Sequence, residues 1–450
     1  MININSMDDL AVSYTAPVTP FFSKGIKDVI SRRSFRSYEK THSTIKEYKL
    51  DEKGGKPMKK LTPSQFFAML ICTRAFSMMT FLPESTANAL ELMLGTMLST
   101  VFQIVMICGM AAFHKRFPND DPCTLVVSRS KWAGRGVCTM YLAYFLTVSF
   151  YVIGTFTYFM DYYFSDYIPR LMIVLSVAAC GIYVAMSGLG VIGKTGTVLF
   201  VLFLFVTSIL VISSLEDFTF VDFHLAERNV GKGIFHSAVS ELARSSYLAV
   251  IAFLLPSIKG NAAKTSMYFL FTRLALVEIV LGFITMILGD YTLLAKLPFF
   301  ALAAFSRTAI IERYDAAVMG VWVMLSVYKL GVYFHCSGRC LRYVFPKLGS
   351  GSGVIITAVI PAAATLFWLL PHKWESIAYA GLSPIPLIFL GGVIPLLCLI
   401  FVKKGARSDD HLFDRDSCTL AGFFQLLGSG LIRHALPGYG KTGQLQRHGI

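Results

Sequence analysis

Charge is what this sequence has least of. Only 15% of its 450 residues are Asp, Glu, Lys or Arg, while 55% are hydrophobic; soluble domains carry about 25% charged residues. A chain this poor in charge cannot cover itself with water, which excludes a run of ordinary soluble domains at about 150 residues each. Acidic residues are the scarcer sign, 27 against 41 Lys and Arg, for a formal net charge of +14. The basic excess is not a nucleic-acid face. It gathers in residues 1–60 and in alternate loops, the positive-inside pattern of membrane topology. Cysteine is present nine times, mainly inside apolar stretches (Cys72, Cys108, Cys138, Cys180, Cys398), where thiols act as small core residues and imply no disulfide framework. His335, Cys336 and Cys340 sit one helical turn apart at the end of a span, which reads as packing before it reads as a metal site. Phosphate-cradling glycine loops, metal-binding His pairs and nucleophile motifs are all lacking, so no enzyme and no cofactor is expected. No apolar core follows a basic start near the N-terminus, so no signal peptide is expected and the first span must also direct insertion.

In place of charge the chain has long apolar stretches, and its mean hydropathy is +0.60. They fall at 64–82, 89–112, 137–160, 170–187, 194–213, 233–258, 265–288, 314–336, 354–370 and 381–402. Most approach the ~20 residues that cross a hydrocarbon layer, so the fold class is an all-α membrane protein of about ten transmembrane helices. Residues 1–60, with twelve Lys or Arg, read as a flexible basic cytoplasmic arm, for which contact with anionic lipid and simple disorder are both open. Residues 61–404 form the transmembrane domain. The tail at 405–450 changes composition abruptly and has no legible role. Orientation follows from the short loops. With the N-terminus inside, fourteen basic residues from Lys115 to Arg407 fall in inner segments and six (Arg228, Lys232, Lys296, Arg307, Arg313, Lys373) in outer ones, which favours a cytoplasmic N-terminus. The apolar run Leu297–Ser306 is too short to cross and reads as a re-entrant or interfacial helix. In the outer loop Ser214–Lys232, the acids Glu216, Asp217, Asp222 and Glu227 read as a solvated surface.

Ionisable residues inside spans are expensive and point to function or to structural pairing. Here they are Arg74 in span one, Glu241 and Arg244 in span six, Arg273 and Glu278 in span seven, and Lys329 in span eight. Glu241 and Arg273 lie near span ends, where structural pairing is favoured. Glu278 follows Arg273 by five residues, so the two do not share a helix face. Spans one and six both carry small polar residues at mid-depth, at corresponding positions of two five-span halves. Such a pair of interrupted spans is the sequence pointer to a transporter's midplane site, where half-helix ends hold a zwitterion. The candidate ligand residues are Thr73, Arg74, Ala75, Phe76 and Ser77 from span one and Ser245, Ser246 and Tyr247 from span six. Lys329 is the candidate coupling or cation-replacing group. Tyr151, Tyr158, Tyr328 and Tyr333 read as packing or interface anchors.

Four stretches carry a family resemblance: Leu61-Thr62-Pro63-Ser64-Gln65-Phe66-Phe67 with Leu82-Pro83; Leu254-Leu255-Pro256-Ser257-Ile258-Lys259; Ile311-Glu312-Arg313-Tyr314-Asp315-Ala316; and Val321-Trp322-Val323 with Tyr328-Lys329. Over about residues 60–403 the chain resembles the endospore germination permeases, the transporter-like B subunits of nutrient germinant receptors in the amino acid, polyamine and organocation transporter superfamily. The resemblance implies a leucine-transporter-like fold of two inverted five-span repeats with broken helices one and six. It also implies a small nutrient ligand, an amino acid, and partner A and C subunits in the spore inner membrane. The chain departs from the pattern in its long basic arm and its tail after Arg407. A third departure is Thr73-Arg74-Ala75-Phe76-Ser77, where a Gly-rich break is expected and where Arg74 would narrow or recharge the pocket. A proton-coupled amino acid permease and an assembly scaffold with a filled pocket are the alternative readings.

Overall fold

The computed structural model describes residues 60–80, 89–164, 168–215, 230–289, 291–295, 297–306, 314–368 and 383–401. Nearly all of the basic arm, most of the Ser214–Lys232 loop, the motif residues Leu82, Pro83 and Ile311 to Arg313, and the tail at 405–450 lie outside the described residues. The described residues up to Leu399 belong to one compact unit.

Apart from one isolated backbone bridge, the described regular structure is helical. Helix α1 is Pro63–Met79 and α2 is Ala89–Arg116. A short α3, Pro122–Arg129, leads into α4, Lys131–Phe164. Then come α5, Arg170–Met186, and α6, Leu189–Ser213. Helices α7, Val230–Ala243, and α8, Tyr247–Leu254, make one bent span that ends in a 3-10 turn at Leu255–Ser257. They are followed by α9, Ala262–Leu288, and by two short helices, α10, Tyr291–Leu294, and α11, Pro298–Phe305. Last come α12, Asp315–Val344, α13, Ser350–Trp368, α14, Pro384–Ile388, and α15, Ile394–Phe401, the last two joined by a π-turn at Phe389–Val393.

Six segments are long and apolar enough to cross a membrane: α2, most of α4, α6, α9, α12 and Pro384–Phe401. The bent pair makes a seventh. This is fewer than the ten expected, although every expected span is helical over most of its described length. The difference lies in α1, α5 and α13. Helices α1 and α5 have 17 residues each, a rise of about 26 Å at 1.5 Å per residue, against a hydrocarbon layer of about 30 Å. The run at Leu297 does form a short helix, eight residues long.

Two groups of helices meet along a seam. Helices α4, α5, α12 and α13 pack against one another, and α1, α2, α7 and α9 do likewise through the α1–α9, α2–α7 and α2–α9 pairs; α12 touches α1 and α6 across the seam. Large apolar side chains such as Val101 and Val105 on α2, and Val198, Val201 and Phe205 on α6, point outward, as lipid-facing residues do when tails are as apolar as the core.

The start of α1 is fixed twice. Thr62 and Gln65 form a reciprocal capping box, with Pro63 in the first turn, where its missing N–H costs nothing. Just before it, Leu61 N–H donates to Ser257 O at 2.8 Å and Lys259 N–H donates to Leu61 O at 2.8 Å, a parallel bridge between Leu61 and Ile258. Two of the sequence stretches quoted above are thus one structural element.

The break expected in span one is not there. Helix α1 runs unbroken through Thr73–Ser77. From Ser64 to Met79 it contains no Gly or Pro, and the Thr73 hydroxyl turns back to Leu70 O at 2.8 Å, so its polar residues are satisfied without opening the ladder. The break in span six is real, and the pair bends by 46° across Arg244–Ser246.

Candidate functional site

At the bend, the backbone rearranges over one turn. Ser245 N–H donates to Leu242 O at 3.0 Å, a tighter turn than the α-helical pattern. The Glu241 carbonyl that this leaves takes the Ser245 hydroxyl instead, at 2.9 Å. Gln103 on α2 reaches into the gap. Its Nε2 donates to Ser99 Oγ and Ser245 Oγ, both at 3.0 Å, and its Oε1 accepts from the Tyr247 hydroxyl. On the seam side, the Tyr333 hydroxyl of α12 donates to Ser246 Oγ at 2.7 Å. Lys329, one turn before Tyr333, donates to Ser77 Oγ at 2.6 Å and lies over the rings of Phe76 (5.1 Å) and Tyr333 (5.9 Å). It is 3% exposed and forms no ion pair with a described carboxylate. Above it, Phe76 stacks on Trp322 at 5.7 Å, and Trp322 also meets Phe156, Phe159 and Phe300.

A second cluster adjoins the first, one turn back along α1 from Ser77. Arg74 Nη2 donates to both oxygens of Glu241, at 2.7 and 2.9 Å. Arg273 reaches the same carboxylate and also donates to Thr100 Oγ1 at 2.9 Å, and Arg244 stands 3.5 Å from it. One buried carboxylate therefore binds two buried guanidiniums, with a third, partly exposed, beside it.

A polar, bent helix facing a buried lysine inside a bundle of apolar helices has the form of a binding site, and a comparison of sequence families decides its context. The profile of a family described as spore germination protein matches residues 60–376. The chain belongs to that family. A search of curated proteins finds no match. Spore germination proteins of this family are transporter-like and not catalytic, and this one is a multi-pass integral membrane protein. The match runs from the cap of α1 to beyond α13, so it contains both clusters.

The spore germination fold brings together part of the sequence-derived set. Phe76, Ser77 and Lys329 meet at the seam, and Ser246 joins them through Tyr333. Ser245 and Tyr247 belong to the Gln103 side of the break. Arg74 is drawn instead into the Glu241 cluster, with Arg273 as the pairing partner expected for a span-end charge. Thr73 bonds within its own helix and Ala75 is simply buried, so neither joins a polar group of the site. Glu278 makes no hydrogen bond to a described residue, yet it lies near enough to Arg273 for the two charges to act on each other. His335 points Nδ1 at Ala185 O, 3.3 Å away, while Cys336 and Cys340 are fully buried; among the described residues no three metal-ligating side chains converge.

Sequence reading missed Gln103 and gave Tyr333 only a packing role. A signal for the first was present. Thr96, Ser99, Thr100 and Gln103 recur at helical spacing within an apolar helix, and all four are buried, a polar stripe that has to face a polar partner.

Proposed function

We propose that this spore germination protein is the transporter-like membrane subunit of a nutrient germinant receptor, and that its ligand is an amino acid held at the span-six break. The observation that carries the reading is the bend itself. It places Ser245, Ser246 and Tyr247 in mid-span against Gln103 on one side and Tyr333, Lys329 and Ser77 on the other. Interrupted helices of this kind mark the midplane sites of secondary transporters. The ten helical stretches, the short α11 after span seven and the short α3 before α4 support a leucine-transporter-like arrangement in which helix six is broken and helix one, over its described residues, is continuous. The family supports the spore inner membrane as its location, a cytoplasmic N-terminus agrees with the basic loops, and A and C subunits would be its partners.

The polar groups at the break are bonded to one another in this conformation. A nutrient enters by replacing those bonds, so occupancy and the balance between two helix arrangements are linked, which is what partner subunits could read. A thermal-shift screen of the purified chain, alone and with its partner subunits, tests this against amino acids, with sugars and nucleosides as controls. One amino acid is expected to raise the midpoint saturably. Tyr333→Phe, which removes the hydroxyl bonded to Ser246, is expected to weaken that ligand about tenfold while costing about 1 kcal/mol of stability. Absence of any amino acid shift in the folded complex overturns the proposal. The buried Lys329, without a described acidic partner, favours one second reading, a proton-coupled amino acid permease. Accumulation of labelled amino acid in vesicles separates the two, because a pure sensor binds without flux.

A further inference from the structure

We infer that Arg339 is a bolt that closes one end of the seam, and that this end opens only when Arg339 parts from Phe253. The closure goes beyond the nutrient reading and holds for a sensor and a permease alike. The end concerned is the one beside α3, which the basic loops assign to the cytoplasm.

Arg339 lies on α12, beyond Tyr333, whose hydroxyl is bonded to Ser246 at the break. Its guanidinium donates to Asp121 Oδ2 at 3.2 Å and lies over the ring of Phe253 on α8, 4.9 Å from the centroid, a cation–π distance. Asp121 is 2% exposed and is held as the N-cap of α3: its Oδ1 accepts from Thr124 N–H at 2.7 Å, and its own N–H donates to Thr124 Oγ1 at 2.8 Å. Helix α3 in turn is pinned on α4, where Gly134 lies so close to Val127 that a Cβ would collide with its backbone. Asp121 therefore aims Arg339 from the side of α4 and α12, while Phe253 belongs to the bent span. The contact between Arg339 and Phe253 crosses the seam. Aromatic rings fill the space between that contact and the break: Phe253 meets Phe145 at 5.8 Å and Phe145 meets Tyr333 at 5.9 Å, all three fully buried.

This bolt is held more loosely than the arginines at Glu241. Arg74 Nη2 reaches both oxygens of its carboxylate, at 2.7 and 2.9 Å. Arg339 makes one bond to Asp121 at 3.2 Å, with the Tyr343 hydroxyl 3.5 Å from each, and its Nη1 has no hydrogen-bond partner among the described residues. Its side chain is 11% exposed, against 5% for Arg74. One long bond is weaker than a contact with both oxygens, so when the two helix groups rock, the Arg339 end parts and the Arg74 cluster stays.

Native cysteines report on this motion. Cys336 and Cys340 flank Arg339 and follow Lys329 and Tyr333 by two helical turns each, so they share the face turned to the seam; both are fully buried. Cys72, equally buried on α1 and bonded to Gly196 O at 3.3 Å, is the control. The full chain in detergent is treated with a water-soluble maleimide, and each thiol is followed by peptide mass spectrometry. Phe253→Leu and Asp121→Asn are expected to speed labelling of Cys336 and Cys340 about tenfold, because labelling follows the population of the open form, with Cys72 unchanged. Asparagine caps a helix as well as aspartate does, so Asp121→Asn keeps α3, and Phe253→Leu leaves the ion pair whole. The charge-free double variant Asp121→Asn/Arg339→Gln keeps the test decisive should a lone buried charge unfold the single one. Unchanged rates at Cys336 and Cys340 in the folded variants, or an equal rise at Cys72, overturn the bolt. No nutrient enters the measurement, so that failure leaves the receptor reading intact, and failure of the amino acid screen leaves the bolt.

Discussion

Two buried cations of this protein are in opposite situations, and substitution should separate them. Arg74 and Arg273 depend on Glu241; Lys329 depends on a hydroxyl and two aromatic faces. Glu241→Gln keeps the shape but strips the charge from the centre of the arginine cluster. Breaking a buried ion pair from one side costs roughly 3–5 kcal/mol because the remaining charges stay behind. The variant is expected to show a markedly lower midpoint or to fail to accumulate. Lys329→Met removes a buried ammonium that has no described counter-charge, so its midpoint should hold or rise while the nutrient response disappears. Comparing the two midpoints in one detergent checks the contrast. A Lys329→Met variant as unstable as Glu241→Gln would mean that Lys329 is a structural group and not a ligand-side one.

At the level of elements, the sequence disclosed span six and misled about span one, for one physical reason. Polar residues in a helix open it only when their side chains compete successfully for backbone groups. At Ser245 the backbone N–H turns to Leu242 O and the hydroxyl replaces it on the Glu241 carbonyl; Thr73 bonds a carbonyl of its own continuous helix, and Arg74 sends its charge sideways to another span. Spacing along the chain could not tell these outcomes apart, because the partners of Arg74 and Gln103 lie 167 and 142 residues away. The short helix α11 was legible by length alone, but its role was not. Phe300 on α11 meets Phe159 at 4.5 Å and Trp322 at 5.9 Å, so the helix sits on the aromatic cluster over Phe76. Ser306, just after it, shares a hydroxyl bond with Ser214 at 2.6 Å. Phe300→Ala removes the anchoring ring, at a cost of about 3–5 kcal/mol for a well-packed phenylalanine. Hydrogen exchange across 298–305 should then speed up while exchange in α12 stays protected, and equal acceleration in α12 would show that α11 is not a separate cover.

On the scale of the whole molecule, the question is which parts move as one. The seam between the two helix groups runs through the Lys329–Ser77 and Tyr333–Ser246 contacts, and rocking of one group against the other is how such proteins alternate between states. Helices α1 and α7–α8 lie on the same side of that seam and are tied at their ends by the Leu61–Ile258 bridge, with backbone bonds of 2.8 Å on either side of Leu61. Two spans clamped in this way should travel together, with the hinge elsewhere. Neighbouring strands lie about 4.8 Å apart, inside the Cα window for a disulfide, about 4.4–6.8 Å, so a Leu61→Cys/Ile258→Cys pair can be joined with little distortion in a background where the exposed Cys180 is serine. The oxidised protein is expected to melt higher than the reduced one, because the link closes a long loop and restricts the unfolded chain. Its midpoint rise with nutrient should be the same as before oxidation. If the link instead abolishes the nutrient response while the protein stays folded, the ends of span one and span six must separate during the switch, and the moving boundary runs between them and not along the seam at Lys329.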